Sequence, residues 1–192
     1  MIAELREAVL LQRETIARLL GTYAADAERV LEFTRGTGEF TRLAAGRTGA
    51  KQITVVDISG DRPRRTRVPV RDDVELVRGD FWADLGVGRS DVIVCVDAIH
   101  HLGDLRQVLE RLKTFVSPGG ILVGSVRIAD NLPRLQRPLS GALAHLRRTG
   151  AYRVWLVPSA DALAILHDVF EPVIEVRVEN HFMGFVCGMG TV

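Results

Sequence analysis

The sequence predicts an α/β fold: a parallel sheet with helices on both faces and an antiparallel hairpin at the C-terminal end. Three observations predict it. Short runs rich in branched apolar residues recur along the chain, helical periodicity fills several of the intervals, and the last two runs are joined by a turn too short for a crossover. With 192 residues and 47% hydrophobic content, the chain is long enough to bury one core, so a single domain over 1–192 is expected.

The elements follow in order. Leu5, Val9, Ile16, Leu19 and Leu20 recur at helical spacing, with Gly21 as a stop signal, and predict an amphipathic first helix. Strands are expected at 29–33, 52–58, 74–77, 91–96 and 120–126, each apolar enough to be buried on both faces. Helical patterns cover 40–45 and 104–115, the second stopped by Ser117-Pro-Gly-Gly120. Strands alternating with helices favour right-handed parallel crossovers. Between 59 and 73, two prolines and weak periodicity predict an irregular connection instead. A last helix, 160–169 with Ser159 as its cap, precedes runs at 173–178 and 183–188 that form the expected hairpin.

Charge and cysteine usage narrow the function classes. The formal net charge is +1, which argues against a nucleic-acid partner held by general charge. Cys95 and Cys187 both sit in apolar runs and read as buried thiols, so no metal site is expected and a cytoplasmic location is. No apolar run has the roughly 20 residues of a membrane span, and acids throughout residues 1–20 are unlike a signal peptide. Nothing here decides oligomeric state, and a homodimer stays open.

The informative turn follows the first strand. Gly36 and Gly38 let backbone approach a ligand closely, and the helix after them aims free N–H groups at the same place. Asp57 closes the second strand, with Ile58 beside it, where an acid meets ribose hydroxyls in open parallel sheets. A nucleotide-like ligand fits. The dinucleotide fingerprint fails, because Thr41 stands where its third glycine belongs, and no phosphate-loop Gly-Lys-Ser or Gly-Lys-Thr occurs.

Glu32-Phe-Thr-Arg-Gly-Thr-Gly38 resembles the first motif of the class I S-adenosylmethionine-dependent methyltransferases. Further family marks stand in order: Ile53-Thr-Val-Val-Asp57, Val77-Arg-Gly-Asp-Phe81, Asp91-Val-Ile-Val-Cys-Val-Asp-Ala-Ile-His-His-Leu102 and Val116-Ser-Pro-Gly-Gly-Ile-Leu122. The likeness runs from about residue 30 to 126 and returns in the terminal hairpin. It implies a Rossmann-like fold, S-adenosylmethionine as cofactor and S-adenosylhomocysteine as product. Carried over by position, Glu32 anchors the cofactor's amino group, and Thr34, Arg35, Gly36, Thr37 and Gly38 wrap its methionine and ribose. Asp57 and Ile58 meet the ribose, Asp80 and Phe81 the adenine, and Val96 and Asp97 complete the methionine end. Residue chemistry alone offers plainer roles: Asp80 as a turn former, Phe81 as a core aromatic, Arg35 as a solvated charge. Thr34 departs from the motif's first glycine and, being β-branched, needs φ below zero.

Methyl transfer to a hydroxyl needs alignment and a proton acceptor. Asp97, His100 and His101 follow the fourth strand and are the catalytic candidates, His100 foremost as base and His101 also readable as packing structure. An insertion at 127–157 is expected to cover the substrate, with Arg127, Asp130, Tyr152 and Trp155 as contacts; its arginines suit a small anionic metabolite or form a solvated helix face. Two other readings stand beside this one: a non-catalytic methyltransferase-like partner subunit, motivated by Thr34 and the irregular 59–73 connection, and an RNA or protein methyltransferase using the arginines. The nucleic-acid amino-methylation signature, Asn or Asp followed by Pro-Pro-Tyr, is absent after the fourth strand.

Overall fold

The structure is a computed structural model and describes residues 2–35, 38–59, 72–130, 155–179 and 181–190, with side chains from residue 7 onward. Seven strands make one sheet: β1 (Arg29–Thr34), β2 (Gln52–Asp57), β3 (Val74–Arg78), β4 (Ser90–Cys95), β5 (Val116–Arg127), β6 (Val173–Val178) and β7 (Phe182–Gly188). Their order is β3-β2-β1-β4-β5-β7-β6. The first five run parallel, while β7 lies antiparallel between β5 and β6. This is the Rossmann-like arrangement with a reversed hairpin that the sequence predicts. The chain winds outward from β1 through β2 to β3 and then returns to β4 on the other side of β1. The strand order therefore reverses between β1 and β4, and in open parallel sheets the crevice outside the carboxyl ends at that point is where ligands bind.

Alternation along the central strands divides the core into two layers. Val30, Ile53, Val55, Val92 and Val94 face α1 (Ile2–Tyr23) and α2 (Glu39–Arg47). Leu31, Phe33, Ile93, Cys95 and Leu122 face α3 (Leu105–Lys113) and α4 (Ser159–Val169). Helix α3 shows how sequence sets an element here. Leu105, Val108, Leu109 and Leu112 make one buried stripe, and the Asp104 carboxylate caps the first turn by accepting the Gln107 N–H at 3.2 Å. Both cysteines are buried free thiols.

Three boundaries differ from expectation, each for a visible reason, and one helix position differs in burial. Helix α1 runs through Gly21 to Tyr23 because its last turns are fixed from outside: Glu175 on β6 accepts from Arg18 at 2.7 Å and from the Tyr23 hydroxyl at 2.8 Å. Val9 is 49% exposed rather than part of the buried stripe, which begins at Thr15 and Ile16. Strand β5 starts at Val116, and Ser117-Pro-Gly-Gly120 forms a bulge inside it instead of ending a helix. The register jumps from Ser90↔Val116 to Val92↔Ile121, Gly119 takes φ 74°, and a Cβ on Gly120 would sit 2.7 Å from the Asp91 carbonyl oxygen. Ser159 is the first residue of α4 and not its cap; Pro158 precedes the helix, and the Ser159 N–H donates to Asp130 Oδ2 at 2.9 Å.

The connection from β3 to β4 carries no helix among the described residues. It leaves a groove of about 330 Å³ along the sheet, lined in part by Thr54, Glu75, Val77, Leu85 and Val87. Most of the expected irregular segment 59–73 lies outside the described residues, as does most of the insertion 127–157. No helix among the described residues is long and apolar enough to cross a membrane.

Candidate active site

The turn after β1 is built on a buried acid. Glu32 shares the β1 face of Val30 and lies under α2, only 1% exposed. Its carboxyl accepts from the Thr41 hydroxyl of α2 and is further bonded by Thr34. Burial disfavours its charge, and although both threonines and Arg42 pull the other way, its pKa rises to about 7. Glu32 thus joins the two ends of the turn from beneath. Thr34 is buried at the end of β1, and among the described residues Asp97 is the non-glycine with positive φ, so Thr34 keeps the backbone a β-branched residue needs. Gly38 takes φ 73° at the start of α2, where no side chain among the described residues caps the helix. The leading N–H groups of α2 are left for whatever occupies the crevice. Arg35 is half-buried on the same turn; Gly36 and Thr37 lie outside the described residues.

Asp57 ends β2 in register with Thr34. It is buried, its Oδ1 accepts the Ser59 N–H at 3.0 Å, and Ile58 is buried beside it. After β3, Asp80 is exposed and its Oδ1 accepts the Trp82 N–H at 2.9 Å, which is the turn-forming role. Phe81 is 1% exposed and stacks edge-on against Phe33 at 5.3 Å between ring centroids. It forms floor under the crevice. The exposed aromatic is its neighbour Trp82, whose indole N–H donates to the Leu102 carbonyl at 3.1 Å. Sequence reading missed Trp82; its place one residue past the motif was the available signal.

Beyond β4 the backbone turns sharply. Val96 is buried, and Asp97 adopts φ 53°, which a side-chain-bearing residue holds only when its surroundings impose it. The Asp97 side chain is 42% exposed, accepts from Arg127 Nε at 3.3 Å and lies 3.7 Å from His100 Nε2. His100 is 2% exposed, and its Nδ1 has no hydrogen-bond partner among the described residues. Burial, then the positive charges of His101, Arg127 and Arg35, lower its pKa to about 3. A neutral imidazole this weakly basic argues against His100 as the proton acceptor. His101 is half-buried on the same short turn, Ile99–His101, with ring centroids 4.2 Å apart.

The described ends of the insertion meet at this turn. The Trp155 N–H donates to the His100 carbonyl at 2.7 Å, and Ile128 pairs with Val157. Trp155, 40% exposed, therefore borders the crevice. Asp130 is exposed, and its carboxylate accepts the Ser159 N–H at the start of α4. Tyr152 lies outside the described residues. The crevice thus gathers Thr34, Arg35, Gly38, Asp57, Val96, Asp97, His100, His101 and Arg127, with Trp82 and Trp155 on either side of the 99–101 turn. Among the described residues no cluster of three or more metal-ligating side chains occurs.

The comparisons agree with this geometry. Residues 3–164 match the model of a family described as a methyltransferase domain. Over 111 residues the chain is 34% identical to the biotin biosynthesis bifunctional protein BioCD of Bordetella avium, covering 57% of this chain and 24% of that protein. The chain spans about a quarter to a third of the length of the curated relatives it matches. In three dimensions it resembles a Burkholderia thailandensis 1,6-didemethyltoxoflavin-N1-methyltransferase solved with its namesake compound and S-adenosylhomocysteine bound (TM-score 0.66, 17% identity, 93% of this chain and 78% of that one). It also resembles the N-methyltransferase NodS of Bradyrhizobium japonicum in complex with S-adenosylhomocysteine (TM-score 0.63, 19% identity, 92% and 86%). At such identities the structural likeness speaks for the fold.

Proposed function

This chain belongs to the class I S-adenosylmethionine-dependent methyltransferases, and from that premise we propose that it transfers a methyl group to an oxygen or nitrogen of a small anionic metabolite. The reading is supported most by one observation: the side-chain-uncapped start of α2, led by Gly38 in the left-handed conformation, lies beside buried Asp57 where the strand order reverses. Backbone N–H groups suit a carboxylate, and a buried acid suits a ribose diol. The residues present fit the cofactor.

When bound, S-adenosylmethionine supplies a methyl group on positively charged sulfur, open to in-line attack by the acceptor. The chain's own residues then have three tasks. Thr34 to Gly38 and the start of α2 hold the amino-acid end, Asp57 and Ile58 hold the ribose, and Asp80 with Phe81 and Trp82 border the adenine side. Asp97 orients the acceptor, and Asp97 or His101 takes its proton, while neutral His100 shapes the wall. Arg127 and Arg35 give the mouth a positive character that favours an anionic acceptor. The 1,6-didemethyltoxoflavin-N1-methyltransferase above carries its small-molecule namesake bound, which agrees with this size class.

Calorimetric titration with S-adenosylhomocysteine tests the site. Asp57→Ala is expected to weaken binding about 10- to 100-fold, the range for hydrogen bonds to a charged group. Arg127→Ala is expected to raise KM for carboxylate- or phosphate-bearing acceptors more than for neutral acceptors of similar size. Undiminished affinity in Asp57→Ala would remove the crevice as the cofactor site.

A further inference from the structure

The sharp exit from β4 is held from far away in sequence. Parallel pairing of β4 with β5 ends at Cys95↔Gly124, so the Asp97 amide has left the ladder. It donates instead to the Ser125 hydroxyl at 3.2 Å. Ser125 is itself buried and fixed on its other side, since it pairs with Gly184 of β7. Its hydroxyl accepts a second bond, from Gln12 Nε2 on α1 at 2.9 Å. A serine oxygen has two lone pairs, and these two donors fill them. The hydroxyl is thereby oriented by α1 and the Asp97 amide together.

We propose that Gln12 is a positioning residue of the transfer site: through Ser125 it fixes the Asp97 amide and with it the left-handed turn that sets the Asp97 carboxylate and His100 at the mouth. The inference rests on the cofactor-site reading above. Asp97 is the described non-glycine residue with positive φ, a conformation that persists only when neighbours over-determine it. Three elements supply that determination. The Arg127 guanidinium holds the carboxylate, Ser125 holds the amide, and Gln12 holds Ser125. Gln12 belongs to the first helix and touches none of the family motifs, so sequence reading had no reason to single it out. Its neighbours Val9, Leu10 and Leu11 are exposed, which makes Gln12 the point in that stretch of α1 tied to the site.

Two measurements separate the outcomes. The first needs no ligand: amide hydrogen exchange read at Asp97 in the wild type, Gln12→Met and Ser125→Ala. Gln12→Met keeps side-chain length and removes the donor. Exchange at Asp97 is expected to quicken about fivefold in Gln12→Met and further in Ser125→Ala, with Val94 unchanged, as for the loss of one hydrogen bond. Equal exchange in wild type and Gln12→Met overturns the coupling. The second is titration with S-adenosylhomocysteine. Gln12→Met is expected to weaken binding about tenfold, with Leu10→Ala as an exposed control that matches the wild type, and the double variant Gln12→Met/Ser125→Ala is expected to lose little more than Ser125→Ala alone. A Gln12→Met protein that unfolds at lower temperature yet binds as the wild type does would show a merely structural contact and overturn the positioning role. Failure of the wild type to bind would defeat the cofactor-site reading, while the exchange result still decides whether Gln12 holds the turn.

Discussion

Glu32 offers the sharpest test of the buried architecture. Its carboxyl has an ordinary value of 4.5 and about 7 in the folded chain, raised chiefly by burial. The sign follows from proton counting. Between these values the folded state binds more protons than the unfolded state, so stability falls as pH rises through that window and levels off above about 7. At 1.36 kcal/mol per pKa unit, holding the ionised form folded costs about 3 kcal/mol once pH is well above 7. Glu32→Gln removes this cost while keeping shape, because an amide can exchange hydrogen bonds with the hydroxyls of Thr34 and Thr41. The stability advantage of Glu32→Gln over wild type is expected to grow by about 2–3 kcal/mol between pH 5 and pH 8, or very roughly 5–10 °C in unfolding temperature. Urea unfolding at several pH values reads it directly. Parallel pH profiles for the two proteins would show that Glu32 is not held in a charge-excluding site, and the reasoning would fail.

Other perturbations test different parts. Glu175 accepts from Arg18, Tyr23 and Arg177, which hold its pKa down to about 2, so its contribution is present above about 4.5 and is lost as pH falls through 2. Because Arg18 and Arg177 are substantially exposed, screening limits the effect: Glu175→Gln is expected to cost about 1 kcal/mol at pH 7 and nothing near pH 2, read by urea unfolding. For His100, whose folded value falls from 6.5 to about 3, the unfolded chain takes the proton first on acidification, so this residue lowers stability as pH drops below 6.5. Nitrogen-15 NMR of labelled histidine is expected to show a His100 imidazole still neutral at pH 5; a titration near 6.5 would refute its burial and restore it as a base.

The sheet was legible because its signals are local and repeated. Each parallel strand announces itself by a branched run, and the reversed hairpin follows from a connection too short to cross over. The helical pattern from 104 to 115 was legible too, since its periodicity is local, although the capping role of Asp104 was not read from it. What escaped depends on partners far along the chain. Gly21 reads as a stop until Glu175 is seen holding Arg18 and Tyr23. The bond from the Ser159 N–H to Asp130 spans 29 residues and leaves no local mark. Ser117-Pro-Gly-Gly120 reads as a turn between elements, whereas the Asp91 carbonyl pressed against Gly120 makes it a bulge within a strand.

The site divides along the same line. Motif order places Asp57, Asp97 and Gly38 near the same end of the sheet, since strand ends carry them there. Burial is a sum over the whole fold, so Glu32, Phe81 and His100 could not be distinguished from surface groups by spacing. Trp82 and Gln12 went unseen for opposite reasons: one sits just past a motif, the other on a helix outside every motif.

Thermal unfolding of the purified chain with and without S-adenosylhomocysteine tests the central claim most directly. At about 100 times Kd, binding at the crevice should stabilise the fold by roughly 2.7 kcal/mol, a rise of several degrees, and Asp57→Ala should cut that rise by about half or more. An unfolding temperature unmoved by millimolar ligand, or moved equally in Asp57→Ala, would contradict it.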